Sequence, residues 1–257
     1  RQTSLFVLWP SGQYRWSCMP SNELNPESNI VHALEHGDIT IIGRMPHSSN
    51  ATFLVSVQCG ETSMQAIYKP LRGERPLWDF EPGLHRREIA AYLLSQAMGI
   101  NMVPPTVLRE GPLGEGSLQH FIDADVEQHY FTIFEQREDL HDQLRAICVF
   151  DIVANNTDRK AGHCLLGLDD KVWGIDHGVC FSADFKLRTV IWEFGGEPLP
   201  DHLRAAIEPL IETVPLNIAT LLSSDEVSAL QERVQWLCEG GAFPIDRSGS
   251  RYPWPLV

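Results

Sequence analysis

Between residues 38 and 99 the hydrophobic pattern switches from a period of two to a period near 3.6, and that switch limits the fold more than any other feature. DITIIGRM, TFLVSV and MQAIYK are short β-branched runs separated by polar or glycine-containing turns, which predicts a three-strand antiparallel meander over 38–69. After a proline-rich connection, LHRREIAAYLLSQAMG sets Ile89, Leu93, Leu94 and Ala97 at helical spacing, with Gly99 as a stop. Two more extended runs, VPPTVLRE and GSLQHFID, close a β-rich half. The remainder is mainly helical: a helix over 137–154, a hairpin of CLLGL and VWGID around Asp169-Asp170-Lys171, and helices over 201–213 and 224–238. Residues 1–33 show no clear period and read as an N-terminal extension of the main body. The chain's 257 residues suffice for a sizeable core in one functional unit of two halves.

Charge excludes several classes of partner. With 20 Lys and Arg against 34 Asp and Glu, the formal net charge is −14, which argues against general binding of nucleic acid or of anionic lipid surfaces. No run approaches the roughly 18 apolar residues of a membrane span. Six cysteines without a C-x-x-C pair predict reduced thiols. The opening RQTSLFVLWPSG lacks a basic segment followed by a sustained apolar run, so a signal peptide is not expected. Together these features predict a cytoplasmic protein.

Four short pieces then fall in the order that phosphoryl transfer from a nucleotide demands. Lys69 ends an apolar strand, AIYKP, where an ammonium needs a partner or a route to solvent. Glu88 lies nineteen residues on, near the start of the predicted helix, and suits the glutamate that would hold such a lysine; pairing with neighbouring Arg86 or Arg87 is the plainer alternative. NNTDRKAGH sets Asp158 five residues before His163, the spacing of a kinase catalytic loop with histidine in place of asparagine. Otherwise Asp158 is a turn aspartate bonded to its own loop. GIDHGV ends a strand on Asp176 with glycine two residues later, a hard oxygen ligand followed by a turn. Each piece is weak alone; the order strengthens all four.

Between the first two strands lies GRMPHSSNATF, where Gly43, Ser48, Ser49 and Asn50 would leave backbone N–H groups free for phosphate oxygens. A solvent-facing turn explains the same residues equally well. Among ten histidines no H-x-H pair supports a preformed transition-metal site.

Taken together, IYKPLRGERPLWDF, HRREIAAYLLSQAMG, VPPTVLREGPLGEGSLQ, NNTDRKAGH, GIDHGVCF and the closing PWP resemble a bacterial, mostly actinobacterial, phosphatidylinositol 3- and 4-kinase-like family over roughly residues 34–257. More distantly, NTDR followed by an Asp-x-Gly strand looks like the type II phosphatidylinositol 4-kinases and the HipA-type kinases. The resemblance implies an α+β, two-lobed, atypical protein-kinase-like fold, with an antiparallel β-rich N-lobe at 34–122 and a mostly helical C-lobe at 123–257. It further implies ATP between the lobes, Lys69 on the phosphates, Glu88 holding Lys69, Asp158 at the acceptor, and Asp176 with His163 at Mg²⁺ or Mn²⁺. The hinge falls at 119–122, with Gln119 and Phe121 beside the adenine. Imidazole at 163 suits Mn²⁺ or Zn²⁺ better than Mg²⁺. Arg159, Lys160, Lys186 and Arg188 supply four cations near the presumed site, without a polybasic membrane-facing stretch. The expected activity is phosphotransfer to a protein or small anionic acceptor rather than to a membrane inositol lipid. A nucleotide-binding pseudokinase-like regulator and AMP transfer on the same fold are the alternatives.

Overall fold

The structure, a computed structural model, describes residues 26–46, 48 and 50–257. Its elements run α1 (Pro26–His36), β1 (Asp38–Arg44), β2 (Phe53–Cys59), β3 (Thr62–Pro70), α2 (Leu84–Ala97), β4 (Thr106–Gly111), β5 (Gly114–His120), α3 (Tyr130–Gln136), α4 (His141–Ala154), β6 (Cys164–Leu166), β7 (Val172–Gly174), α5 (Asp201–Ile207), α6 (Pro209–Glu212), α7 (Leu216–Ala219) and α8 (Ser224–Gly240).

Alternation along the strands builds the N-lobe. The five strands pair antiparallel in the order β1-β2-β3-β5-β4. Val55 lies opposite Ala66, Tyr68 opposite Leu118, and Leu118 opposite Val107, so these residues share one face. Leu34 of α1 packs onto that face within the same buried cluster. Arg109 fixes the end of α1 by donating to the carbonyls of Leu34 and Gly37, both at 2.7 Å. An extension over 1–33 therefore cuts through α1: residues 26–36 form a helix of the N-lobe core. Its apolar positions are few, and sequence periodicity alone does not separate them from a loop. Lys69, displaced by one residue from Tyr68, faces the opposite side of the sheet.

Helix α2 bridges the lobes. Gly83, at φ 111°, begins it, and no local side chain caps it. Instead Glu74, from the preceding loop, accepts from the backbone N–H groups of Gly83 at 2.8 Å and His85 at 2.9 Å, a carboxylate on the positive end of the helix.

The C-lobe packs around α4, whose Leu144, Ile147, Val149, Phe150, Ile152 and Val153 are buried. Two expectations are refined here. The helix expected over 201–213 is broken at Pro209, which lacks the N–H that a continuous helix would need, and α7 follows as a separate turn. The β6–β7 hairpin is three residues a side, because Gly167 already donates to Lys171. Helix α8 begins where Ser223 and Glu226 form a reciprocal capping box. Cys148, Cys164, Cys180 and Cys238 are free thiols, and no described helix is long and apolar enough to cross a membrane.

Candidate active site

The loop after α4 is shaped by side chains that bond backbone. Asn155 ends α4 in the left-handed region at φ 52°. Its amide donates to the carbonyls of Ser182 at 2.9 Å and Asp184 at 2.7 Å, and its oxygen accepts from the N–H of Lys186. Asn156 donates to Asp151 Oδ1 and accepts from the N–H of Asp158, while the Thr157 hydroxyl donates to the Val179 carbonyl. These bonds hold 157–163 against 176–186.

Arg159 is the centre of that frame and is fully buried. Nε donates to Asp151 Oδ2 at 2.9 Å and Nη2 to Asp151 Oδ1 at 2.8 Å; Nη1 donates to the carbonyls of His163 and Ile175, and Nη2 also donates to His177 Nε2. All five N–H donors are used. Burial opposes the charge, but the Asp151 carboxylate outweighs it and raises the guanidinium further above its usual range. Arg159, one of the four cations expected near the site, is thus enclosed and has no N–H left for another partner. Lys186 is also engaged: Nζ lies 3.5 Å from Asp79 Oδ2 and 5.3 Å from the Phe80 ring centroid. Lys160 and Arg188 remain of the four, and Lys160 already pairs with Asp158 at 3.1 Å.

Five expected residues converge. A cleft of about 200 Å³ between the lobes is lined by Lys69, Glu88, Asp158, His163 and Asp176, among others. Lys69 Nζ bonds to Glu88 Oε1 and, at 2.7 Å, to Asp176 Oδ1, tying strand β3, helix α2 and the turn after β7 together. Burial would depress the lysine, but Asp176 and Glu88 reverse the effect and raise it. Lys69 in turn holds the Asp176 carboxyl far below the usual carboxylate range. Glu88 Oε2 also accepts from the His177 N–H at 3.0 Å, locking the turn to α2. Asp176 takes φ 60°, and a side chain at Gly178 would meet Glu88 Oε1 at 3.4 Å, so the Asp-x-Gly turn leaves room for this glutamate. Burial raises the Asp158 carboxyl, with Lys160 opposing.

His163 Nδ1 lies 3.0 Å from the Asp158 carbonyl, which accepts its proton, so Nε2 carries the lone pair. Burial lowers His163 below the usual imidazole range, favouring this neutral form despite Asp176. Nε2 faces Asp176 Oδ2 at 3.5 Å. Two electron-pair donors facing one another fit a cation held jointly by protein and phosphate oxygens. Among the described residues no group of three or more His, Cys, Asp or Glu forms a preformed metal site, so bound nucleotide would have to complete the coordination.

The phosphate-loop residues divide. Ser48 and Asn50 line the cleft; the Ser48 hydroxyl donates to Thr52 Oγ1 and Asn50 Oδ1 accepts from the Arg75 N–H, tying the loop tip to the α2 approach. Gly43 sits in β1 at a bulge and is not among the lining residues. Ser49 lies outside the described residues. The adenine expectation is not brought into this cleft: Gln119 donates to Thr106 Oγ1, the Phe121 N–H to the Gln65 carbonyl, and Phe121 lines a separate cavity of about 570 Å³.

Sequence reasoning missed Asp151. Asp151 had a signal, an acid inside the apolar helical run CVFDIVA, which only a buried partner can support.

Comparison with known proteins places these features in context. The family model described as phosphatidylinositol 3- and 4-kinase matches residues 37–226. Protein Rv2133c of Mycobacterium tuberculosis is 36% identical over 259 residues, covering 86% of this chain and 93% of that protein. Phosphatidylinositol 4-kinase gamma 2 of Arabidopsis thaliana is 28% identical over 66% of this chain but only 41% of its own length. Among solved structures, the crystal structure of the golgi casein kinase superposes with a TM-score of 0.50 at 14% identity, over 85% of this chain and 79% of that one, a likeness of fold.

Proposed function

Since the chain belongs to the phosphatidylinositol 3- and 4-kinase family, we propose that it is an ATP-dependent phosphotransferase acting on a protein or small anionic acceptor. The observation that carries this reading is Lys69 bonded to both Glu88 and Asp176, with Asp158 and His163 lining the same cleft. In this arrangement Lys69 exchanges its Asp176 bond for nucleotide phosphate oxygens while Glu88 keeps the ammonium in place. Asp158 accepts the proton of the acceptor hydroxyl as its oxygen bonds to the γ-phosphorus and the bond to the β–γ bridging oxygen breaks, releasing ADP. Asp176 and His163 would hold a divalent ion, which supplies charge neutralisation of the phosphates when bound.

The acceptor assignment rests on charge. With Arg159 enclosed and Lys186 engaged, few cations near the cleft match a polyphosphorylated headgroup, and the chain carries −14 overall. Purified protein with labelled ATP and Mg²⁺ or Mn²⁺ should release or transfer γ-phosphate, and Asp176→Ala should abolish this. Equal turnover in the variant would refute the reading; an intact-mass gain of adenylate instead of phosphate would change the group transferred.

A further inference from the structure

A second concavity of about 410 Å³ lies between residues 183–185 and α8, and it shares no lining residue with the catalytic cleft. Its walls are apolar: Phe185 and Trp236 are each about half exposed, with Ala183 and Ala229 between them. Arg233 also lines it and is only 7% exposed. Nε donates to the Val153 carbonyl at 2.9 Å and Nη1 to the Ser182 carbonyl at 3.3 Å, but Nη2 is buried without a hydrogen-bond partner. Burial pushes the guanidinium down to about 10, with Glu232 and Glu226 offsetting only part of the effect, so the group is still charged at neutral pH. A buried cation without a bonded anion is a costly arrangement that a ligand carboxylate relieves.

We propose that this pocket binds a small aromatic monocarboxylate, its carboxylate on Arg233 and its ring between Phe185 and Trp236. The volume falls in the range of small-molecule sites. Glu232 on the lining disfavours a phosphate or other polyanion by like-charge repulsion. Arg251 sits 4.9 Å over the Phe185 ring and pins it, which leaves half-exposed Trp236 as the wall that moves to admit the ligand.

The test titrates the whole chain with phenylacetate and, separately, with its neutral isostere phenylacetamide, following backbone amides of 183–185 and 229–236 and the Trp236 indole N–H by NMR. Phenylacetate should give saturable shifts with a Kd near or below about 1 mM, and phenylacetamide should bind at least about tenfold more weakly. Trp236→Ala, at an exposed position, should weaken phenylacetate binding to a similar degree, and Arg233→Met should abolish it. If Arg233→Met does not fold, the acid–amide comparison on the unaltered chain still decides. Equal binding of acid and amide, or no shift at about 20 mM acid, overturns the proposal. Stronger shifts with inorganic phosphate would overturn the monocarboxylate class, and tighter binding of a peptide pairing Asp with Trp would overturn the small-molecule assignment.

Discussion

Arg159 and Arg233 are both buried in the C-lobe, at 0% and 7% exposure, yet they are opposite cases. Burial is the largest influence on each and works against the charge in each. At Arg159 the Asp151 carboxylate reverses that influence, and every N–H is bonded. At Arg233 two backbone carbonyls accept, no carboxylate of the described residues touches the group, and Nη2 is left over. Two buried arginines on one lobe thus teach that a carboxylate in contact, not burial, separates a structural frame from a site with unmet demand. The first region positions Asp158 and His163; the second faces an open pocket.

The largest effect should come from removing the carboxylate that makes the difference. Asp151→Asn leaves Arg159 buried without a counter-charge, a loss of about 3–5 kcal/mol for a broken buried pair. Urea unfolding should show the drop, and nucleotide turnover should fall with it because the 157–163 loop loses its frame. Adding Arg159→Met to Asp151→Asn should recover part of the stability, since the stranded charge is then gone. A single-variant loss below about 1 kcal/mol would break the comparison, because Asp151 would then not be what supports the buried charge.

A smaller effect is expected at the other arginine. Arg233→Met gives up hydrogen bonds to Val153 and Ser182, each worth about 1 kcal/mol, but also removes an uncompensated buried charge. The net cost by the same unfolding measurement should be about 1–2 kcal/mol, well under that of Arg159→Met. Equal costs would mean that Arg233 has support of the strength Asp151 gives Arg159.

Much of the candidate site was legible in the sequence because its residues are fixed by local chemistry. Lys69 ends a strand, Asp176 and Gly178 shape a turn, and Asp158 with His163 share one nine-residue loop, so type and spacing carried the information. What was not legible depends on residues far apart in the chain. Glu74 caps α2 from outside the helix, and α1 is buried only because Leu34 meets Val55 and Leu118 of a sheet formed later in the chain. Phe121 was expected beside the adenine at a hinge, yet its N–H is taken by the Gln65 carbonyl, a pairing that register alone decides. Arg159 was counted among the cations near the site because sequence shows its charge but not Asp151 beside it in the folded loop.

Lys186 offers the smallest change and the sharpest control. Like Arg159 it has a carboxylate partner, Asp79, but the side chains are 25% and 23% exposed and Nζ lies 3.5 Å from Oδ2. Its charge also sits 5.9 Å from the Trp78 ring centroid and 5.3 Å from that of Phe80. About a quarter of each side chain stays in water, so solvent screens this clasp where it cannot reach the sealed Arg159–Asp151 pair. Lys186→Ala should therefore shift stability by less than about 1 kcal/mol, as for partly exposed ion pairs, although it cuts the tie between the 75–82 loop and residues 182–188. If the urea midpoint instead moves as far as for Asp151→Asn, exposure is not what distinguishes the paired cations. The ordering from Arg159 to Arg233 to Lys186 would then need a cause other than the dehydration of charge.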